Sequence, residues 1–296
     1  MLFKDLDITF DDVFVSEAVS KSIKNQTYGP EKWQMFDLYL PKGVERHALI
    51  LDLQGGGLVR GSKSTNKLRP NMKLVEEGFA VASMNYALIS DANYAFPKQV
   101  AEVRAVLIQL KERAEEFGLD VDRFYLSGES SGAQLALLTV ASATAGVKLG
   151  YEKGLKDDLE EMPVIQKVIA SYGPYEFDQF EKQFNKAGVE PKYAESGSPK
   201  SFEGLAVGGL KVSEAPIQIA QGNPANYFTE KMPELFAMAG TADQVVPFEQ
   251  SVEMVQRYEK MTGKKAMTHW IEGGHHGIKD FDTEEIKKEK LGFLRN

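Results

Sequence analysis

The chain has 296 residues, about twice the length of an average domain, and 43% of them are hydrophobic, so it can bury a large core and is not disordered. Its 43 acidic residues outnumber its 35 basic ones and give a formal net charge of −8, which disfavours nucleic acid as a partner because binding to phosphates needs a basic surface. The lack of cysteine excludes disulfides, thiolate nucleophiles and cysteine-ligated metal sites.

Neither a signal peptide nor a membrane helix is recognisable in the sequence. The opening residues, Met-Leu-Phe-Lys-Asp-Leu-Asp, carry acids and lack the basic start and apolar core of a signal peptide. The longest apolar run, at 48–53, is far shorter than the roughly 20 residues that a membrane helix needs. The sequence therefore predicts a cytoplasmic protein that has no membrane partner.

Short apolar runs alternate along the chain with longer helical patterns, which is typical of βαβ units and a mostly parallel sheet. Strands are predicted at 33–40, 48–53, 79–86, 123–126, 164–171, 234–238 and 267–271. Helices are predicted at 97–118, 133–143, 248–261 and 283–293. The first of them begins at Pro97, repeats apolar residues at spacings of three and four, and ends at Gly118.

Two segments interrupt this alternation. Residues 148–162 are strongly charged, and residues 173–231 are long and begin with the aromatics Tyr175, Phe177, Phe180 and Phe184. A stretch of that length between two core strands is typical of a lid, a binding insertion or a flexible loop, and its aromatics could line a pocket or form the apolar face of a lid helix. We therefore expect a single domain over 1–296, in which 173–231 forms a cap that covers the site with help from 148–162.

The motif Gly128-Glu129-Ser130-Ser131-Gly132 matches G-x-S-x-G, the nucleophile elbow. In that elbow the serine occupies a strained turn between a strand and a helix, and side chains at the flanking glycines would collide with the neighbouring elements. By itself the pattern also fits an ordinary turn of small residues. The predicted strand before it and the predicted helix after it favour the elbow, with Ser130 as the nucleophile.

A glycine-rich stretch, Gln54-Gly55-Gly56-Gly57, directly follows a buried strand upstream of the elbow. Here the chain resembles the α/β-hydrolase fold and, within it, carboxylesterases of the hormone-sensitive-lipase-like and acetyl-esterase type, which carry His-Gly-Gly-Gly at this place. The resemblance implies an oxyanion hole formed by the backbone N–H groups of Gly56, Gly57 and Ser131, which must come within about 3 Å of the developing oxyanion. The alternative is a flexible glycine turn. Gln54 replaces the family's histidine, and we expect its side chain to hold the loop by hydrogen bonds.

Residues 240–247, Gly-Thr-Ala-Asp-Gln-Val-Val-Pro, follow a predicted strand and are similar to the family's Gly-x-x-Asp-x-x-Val-Pro. The resemblance implies that Asp243 orients the catalytic histidine. An aspartate at this place could instead form an Asx-turn or cap the next helix. Asp280 and Asp282 are rivals, but they follow the histidines and therefore have the wrong chain order.

The last motif, Glu-Gly-Gly-His-His-Gly at 272–277, follows the final predicted strand and resembles the family's Gly-x-Gly-His-Gly. The alignment implies His276 as the catalytic base and places His275 where a small residue is usual. His47 and His269 lie inside strand patterns, where a structural histidine is expected. The adjacent histidines could bind a metal, but no further ligand lies at H-E-x-x-H or H-x-x-E-H spacing, so no metal site is predicted.

The chain order Ser130, Asp243, His276 is that of α/β-hydrolases. The resemblance implies a serine carboxylesterase that hydrolyses small or soluble esters through an acyl-enzyme and needs no cofactor; its partner is a small-molecule ester, and a homo-oligomer is compatible with it. Two alternatives stay open: an amide-cleaving relative such as an arylformamidase or a peptidase, and a noncatalytic binding member of the fold. The intact triad argues against the second.

Overall fold

The computed structural model describes residues 2–6, 8–43, 46–89 and 96–296. Within these residues one sheet contains the strands β1 (Val19–Thr27), β2 (Met35–Pro41), β3 (His47–Leu53), β4 (Ala80–Met84), β5 (Leu119–Glu129), β6 (Ile165–Ser171), β7 (Glu234–Gly240) and β8 (Met267–Ile271). Their order across the sheet is β1-β2-β4-β3-β5-β6-β7-β8. β1 pairs antiparallel with β2, and β2 with β4, whereas the remaining pairs are parallel. The predicted fold class, a mostly parallel sheet flanked by helices, is confirmed.

The α-helices of the described residues are α1 (Arg69–Met72), α2 (Gln99–Glu112), α3 (Ala114–Phe117), α4 (Ser131–Thr144), α5 (Phe180–Ala187), α6 (Phe202–Ala206), α7 (Pro216–Gly222), α8 (Phe248–Thr262), α9 (Ile278–Phe281) and α10 (Glu284–Arg295). The helix predicted at 97–118 is divided into α2 and α3, because Arg113 leaves the helical conformation with φ −99° and ψ 17°. Gly118 ends α3 in the left-handed conformation, φ 64°. None of the helices in the described ranges combines the length and the apolarity needed to cross a membrane.

The central strands are buried on both faces, which explains their continuous apolar sequences. In β3, Leu49, Leu51 and Leu53 pack into one core, whereas Ala48 and Ile50 pack into a second core on the opposite face of the sheet. Helices α2, α4 and α8 contribute buried side chains to the first core, and α10 contributes to the second. The ends of the central strands are therefore held from both sides.

The sequence analysis assigned no strand before residue 33 and so missed β1. Most residues of β1 are exposed, and its pairing with β2 is interrupted by two register shifts. Such a polar edge strand lacks the apolar alternation by which strands are recognised. It is attached in part by the buried Asp37 of β2, whose carboxylate accepts the N–H of Asn25 and the ammonium group of Lys63, both at 2.7 Å.

The two interrupting segments are attached in different ways. Residues 148–162 lie against α2, where the buried Arg104 donates hydrogen bonds to the Leu149 carbonyl oxygen at 2.6 Å and to Asp157 Oδ2 at 2.7 Å. Residues 173–231 include α5, α6 and α7, and their early aromatics are buried in the first core. Those aromatics therefore pack into the core, and Phe177, Phe180 and Phe184 also line a cavity of this segment.

Candidate active site

Ser130 occupies the turn between β5 and α4 with strained backbone angles, φ 51° and ψ −125°. Its N–H donates to the Ser171 carbonyl oxygen at 2.9 Å. Space requires the flanking glycines: a Cβ on Gly128 would collide with the backbone of Gly132, and a Cβ on Gly132 would collide with the carbonyl oxygen of Leu53. The close approach of β3, β5 and α4 therefore fixes the turn that carries Ser130.

Asp243 and His276 follow β7 and β8, and the structure brings them together with Ser130. His276 Nε2 lies 3.0 Å from Ser130 Oγ, and His276 Nδ1 lies 2.7 Å from Asp243 Oδ2. Asp243 is buried, and its other oxygen, Oδ1, accepts the N–H groups of Val245 and Val246 at 2.8 and 2.9 Å. One carboxylate thus makes an Asx-turn and also contacts the imidazole, so the two sequence interpretations of Asp243 are compatible.

The other histidines lie elsewhere. His275 is exposed, its N–H donates to Asp280 Oδ2 at 2.8 Å, and its ring Nδ1 lies 3.4 Å from the same oxygen. His47 is part of β3 and His269 is part of β8. In the described ranges no group of three or more His, Asp or Glu side chains is arranged to hold a metal ion.

The predicted oxyanion glycines have backbone conformations that favour glycine, φ 131° at Gly56 and φ 63° at Gly57. A Cβ on Gly57 would come within 2.7 Å of the Phe3 ring. Among the residues that the structure describes, none offers an acceptor to the backbone N–H of Gly56, Gly57 or Ser131. Unpaired donors beside a nucleophile are what the stabilisation of an oxyanion requires.

The glycine loop is held by the elbow rather than by the side chain of Gln54. Both polar atoms of the Gln54 amide are buried without a partner in the described parts of the chain, so the expectation that this side chain holds the loop is wrong. Instead, the N–H of Gly55 donates to Glu129 Oε1 at 3.2 Å, and the N–H of Leu58 donates to Ser131 Oγ at 3.3 Å. Both acceptors flank Ser130, so the loop and the elbow are fixed relative to each other.

Glu129, the variable position of the elbow motif, is a buried carboxylate that the sequence analysis did not single out. Lys67 Nζ lies 3.0 Å from its Oε1, and the Tyr172 hydroxyl donates to its Oε2 at 2.8 Å. The Tyr172 ring meets the His276 ring edge-on, with 4.8 Å between the ring centroids. Burial by itself raises the pKa of Glu129, but the charge of Lys67 and the hydrogen bonds from Lys67 and Tyr172 outweigh it and hold this pKa below its usual value. An anion is therefore held close to His276.

A second buried carboxyl lies on the neighbouring strand. Asn71 donates to Asp52 Oδ1 at 2.7 Å and to Ser127 Oγ at 2.9 Å, and Lys290 donates to Asn71 Oδ1 at 3.3 Å. Burial and the negative charge of Glu129 raise the pKa of Asp52 to about 7, and burial lowers the pKa of Lys290 to about 8. This network places costly buried ionisable groups in the core beside Glu129.

A cavity of about 90 Å³ lies at Ser130 and His276. Its lining includes the glycine loop and Phe202 of α6, but also three apolar side chains from the N-terminal segment, Phe3, Ile8 and Phe10. The charged residues 148–162 contribute none of the lining residues. The sequence analysis missed the N-terminal contribution, because these residues show no periodicity and their position depends on tertiary contacts alone.

The N-terminal segment is attached to residues 173–231 through Phe3. The Phe3 ring packs on the rings of Tyr193 and Phe202, with centroid distances of 5.1 and 5.4 Å. The backbone N–H of Phe3 donates to Glu195 Oε1 at 2.6 Å, and the guanidinium carbon of Arg60 lies 3.9 Å from the centroid of the Phe3 ring. We refer to residues 2–6 and 8–10 and Phe202 together as the cover of the cavity.

A mostly parallel sheet with a serine elbow after a central strand, and aspartate and histidine after two later strands, defines an α/β-hydrolase. Comparison with known families agrees and is more specific. The chain belongs to the BD-FAE family, whose sequence model matches residues 36–258. The resemblance to α/β-hydrolase esterases that the sequence predicts is thereby confirmed.

Individual relatives are distant. Esterase LipC of Mycobacterium tuberculosis is 20% identical over 253 residues, which are 85% of this chain and 58% of that protein. An acetyl esterase of Salmonella schwarzengrund is 31% identical over 100 residues, 34% of this chain and 30% of that protein. The chain thus spans 58% or less of the length of these curated relatives. A solved structure described as a truncated form of carbohydrate esterase from gut microbiota shares the fold, with a TM-score of 0.81, 22% identity, and 96% of this chain and 98% of that chain covered.

Proposed function

We propose that this chain is a serine carboxylesterase in which Ser130, His276 and Asp243 form the catalytic triad. The observation that carries the proposal is the unbroken series of contacts from Asp243 through His276 to Ser130, 2.7 and 3.0 Å long, at a serine with φ 51°. The BD-FAE family and the relatives that bear the name esterase support it.

In the proposed mechanism His276 Nε2 takes the proton of Ser130 as the Ser130 oxygen attacks the ester carbonyl carbon. The N–H groups of Gly56, Gly57 and Ser131 stabilise the oxyanion that forms. Asp243 keeps the proton on His276 Nδ1 and stabilises the imidazolium, which then protonates the leaving alcohol. Water deprotonated by His276 releases the acid from the acyl-enzyme, so no cofactor takes part in the proposed reaction.

We propose a short acyl group for the substrate. The cavity of about 90 Å³ is far below the roughly 300–1,000 Å³ of pockets that enclose drug-sized ligands. The Salmonella relative is named an acetyl esterase, which agrees with a small acyl group. Residues 173–231 act in this proposal as a cap, because Phe202 on α6 lines the cavity and supports Phe3.

Turnover of p-nitrophenyl acetate, butyrate and octanoate, with N-formylkynurenine as the amide, tests this function. We expect the acetate to be hydrolysed fastest and Ser130→Ala to lose about 10⁴-fold or more in kcat without unfolding. Labelling with phenylmethylsulfonyl fluoride followed by mass spectrometry locates the nucleophile, with Ser131→Ala as the neighbouring control that keeps the label on Ser130. A label on another residue, or full activity in Ser130→Ala, contradicts the triad, and turnover of the amide alone replaces the esterase by an amidase.

A further inference from the structure

We infer that Arg60 binds a carboxylate group of the substrate, so that the preferred ester carries a negative charge a few bonds from the carbonyl that Ser130 attacks. This inference rests on the proposed esterase function and names the chemical class of its substrate. Two classes of ester carry such a carboxylate: half-esters of a short dicarboxylic acid, and acyl esters of a hydroxy acid.

Arg60 belongs to the wall of the cavity at Ser130. The side chain of Arg60 begins beside the glycine loop, since a Cβ on Gly56 would come within 3.0 Å of Arg60 Cγ. Its Nη1 donates to the Leu6 carbonyl oxygen at 3.3 Å, whereas its Nη2 is buried and has no hydrogen-bond partner in the described residues. The Phe3 ring holds the guanidinium in place but supplies no acceptor oxygen. A donor group of a residue that lines this cavity is thus left without an acceptor.

Among the charged side chains that line the cavity, Arg60 lacks a carboxylate partner in the described residues. Lys67 and Glu129 neutralise each other at 3.0 Å, and Asp243 faces His276 at 2.7 Å. Arg60 forms no ion pair with a carboxylate of the described chain, and burial lowers its pKa. In a chain with a net charge of −8, a cation without an ion-pair partner among the described residues therefore lies in the cavity wall.

A half-buried guanidinium without a counter-ion is costly, and a carboxylate is the group that best compensates it. The planar fork of N–H donors of arginine matches the two oxygens of a carboxylate. In the proposed complex the ester carbonyl faces Ser130 and the N–H groups of the glycine loop, and the charged end of the same short molecule reaches Arg60.

Two pairs of esters of nearly equal shape test the inference through proton release at constant pH. Monoethyl succinate carries a carboxylate on the acyl side, and ethyl levulinate has a methyl group in place of its charged oxygen. Acetoxyacetate and acetoxyacetone make the same comparison on the alcohol side. We expect kcat/KM to favour the anionic member of at least one pair by roughly 10- to 100-fold, the range expected for a charged hydrogen bond, and the favoured pair identifies the source of the carboxylate.

Arg60→Gln is expected to remove this preference and Arg60→Lys to keep part of it, because lysine retains the charge without the fork. Arg295→Gln, which removes a positive charge at the end of α10, is the control and should leave the ratio unchanged. The ratio of two esters does not depend on the folded fraction of a variant. A wild-type ratio near one, or an equal loss for both members of each pair in Arg60→Gln, overturns the inference and leaves Arg60 as an attachment point for the N-terminal segment.

A binding measurement separates failure of this inference from failure of the esterase proposal. Ser130→Ala should bind the favoured anionic ester at least tenfold more tightly than its neutral counterpart in titration calorimetry, and the double variant with Arg60→Gln should not. If wild-type protein hydrolyses neither these four esters nor the p-nitrophenyl esters while this difference persists, the role of Arg60 stands and the esterase proposal fails. If hydrolysis is normal but the difference is missing, the role of Arg60 is wrong.

Discussion

The two sides of the cavity are attached to the molecule in opposite ways. Ser130, Asp243 and His276 each follow a strand of the sheet, and the glycine loop is tied to the elbow by hydrogen bonds. The cover consists of the short turn Phe3–Asp5, which contains no buried residue, the irregular residues around it and the single side chain of Phe202 on α6. The core thus holds the proposed triad in place, whereas a few local contacts hold the proposed surroundings of the substrate. Changes on the sheet side should therefore alter kcat, and changes in the cover should alter KM.

The largest effect that tests the sheet side is expected from Ser131→Pro. Proline suits the first position of a helix and removes the N–H that we assign to the oxyanion hole, but it also restricts the backbone of Ser130 before it, so kcat should fall by about 10²- to 10³-fold or more. Ser131→Ala keeps the donor and loses the hydrogen bonds of Ser131 Oγ with the N–H of Leu58 and with the Tyr86 side chain, so its loss should stay below about tenfold. The two variants are compared with p-nitrophenyl acetate, and circular dichroism checks their fold. Equal losses in both variants would contradict the donor role.

Glu129→Gln tests whether the buried anion supports His276. Removing the negative charge disfavours the protonated imidazole, so the acid limb of kcat/KM should move to lower pH, and the rate should fall about tenfold. Tyr172→Phe is the matched control, because it keeps the charge and the ring next to His276 and loses only the hydroxyl contact. Its acid limb should stay in place. An unmoved limb in Glu129→Gln would show that the carboxylate only holds the loop.

Phe3→Ala tests the cover. The contacts of this ring with Tyr193 and Phe202 are worth about 1 kcal/mol, so KM should rise about fivefold while kcat changes little. Phe14→Ala is the control, because Phe14 is 79% exposed and its loss should leave both constants unchanged. A fall in kcat that exceeds the rise in KM would contradict this division of roles, since the cover would then belong to the catalytic machinery.

The smallest effect on turnover is expected from Asp52→Asn, which changes the core beside both sides of the cavity. The pKa of Asp52 is raised from 3.8 to about 7 in the folded protein, so its ionisation lowers the free energy of unfolding as the pH rises through that interval. The introduced asparagine does not ionise, so the variant keeps the unfolding free energy that the wild type loses over this interval. The Tm of the variant minus that of the wild type should therefore increase between about pH 4 and 7 and stay constant above about pH 7. Thermal melts across this range measure it. A Tm difference that does not depend on pH would contradict the raised pKa.

The sequence predicted the side of the site that depends on short local motifs. Glycines around Ser130 and the segments after two late strands show in the sequence because backbone crowding and turn chemistry restrict the residues there. The role of Glu129 could not be predicted from the sequence, because its partners, Lys67 and Tyr172, are distant in the chain and meet only in the folded state. The position of Phe3 could not be predicted for the same reason, because its partners, Tyr193 and Phe202, lie far along the chain.

Strand β1 has a consequence for how the molecule behaves at high concentration. An unpaired strand at the border of a sheet invites another chain to add to it, and lysines and irregular pairing oppose such growth. β1 carries Lys21 and Lys24, and its register shifts lie at 19–21 and 23–26, with Asn25 at φ 53° in the second. A template for aggregation is thus disrupted along most of its length, at the end of the sheet farthest from His276.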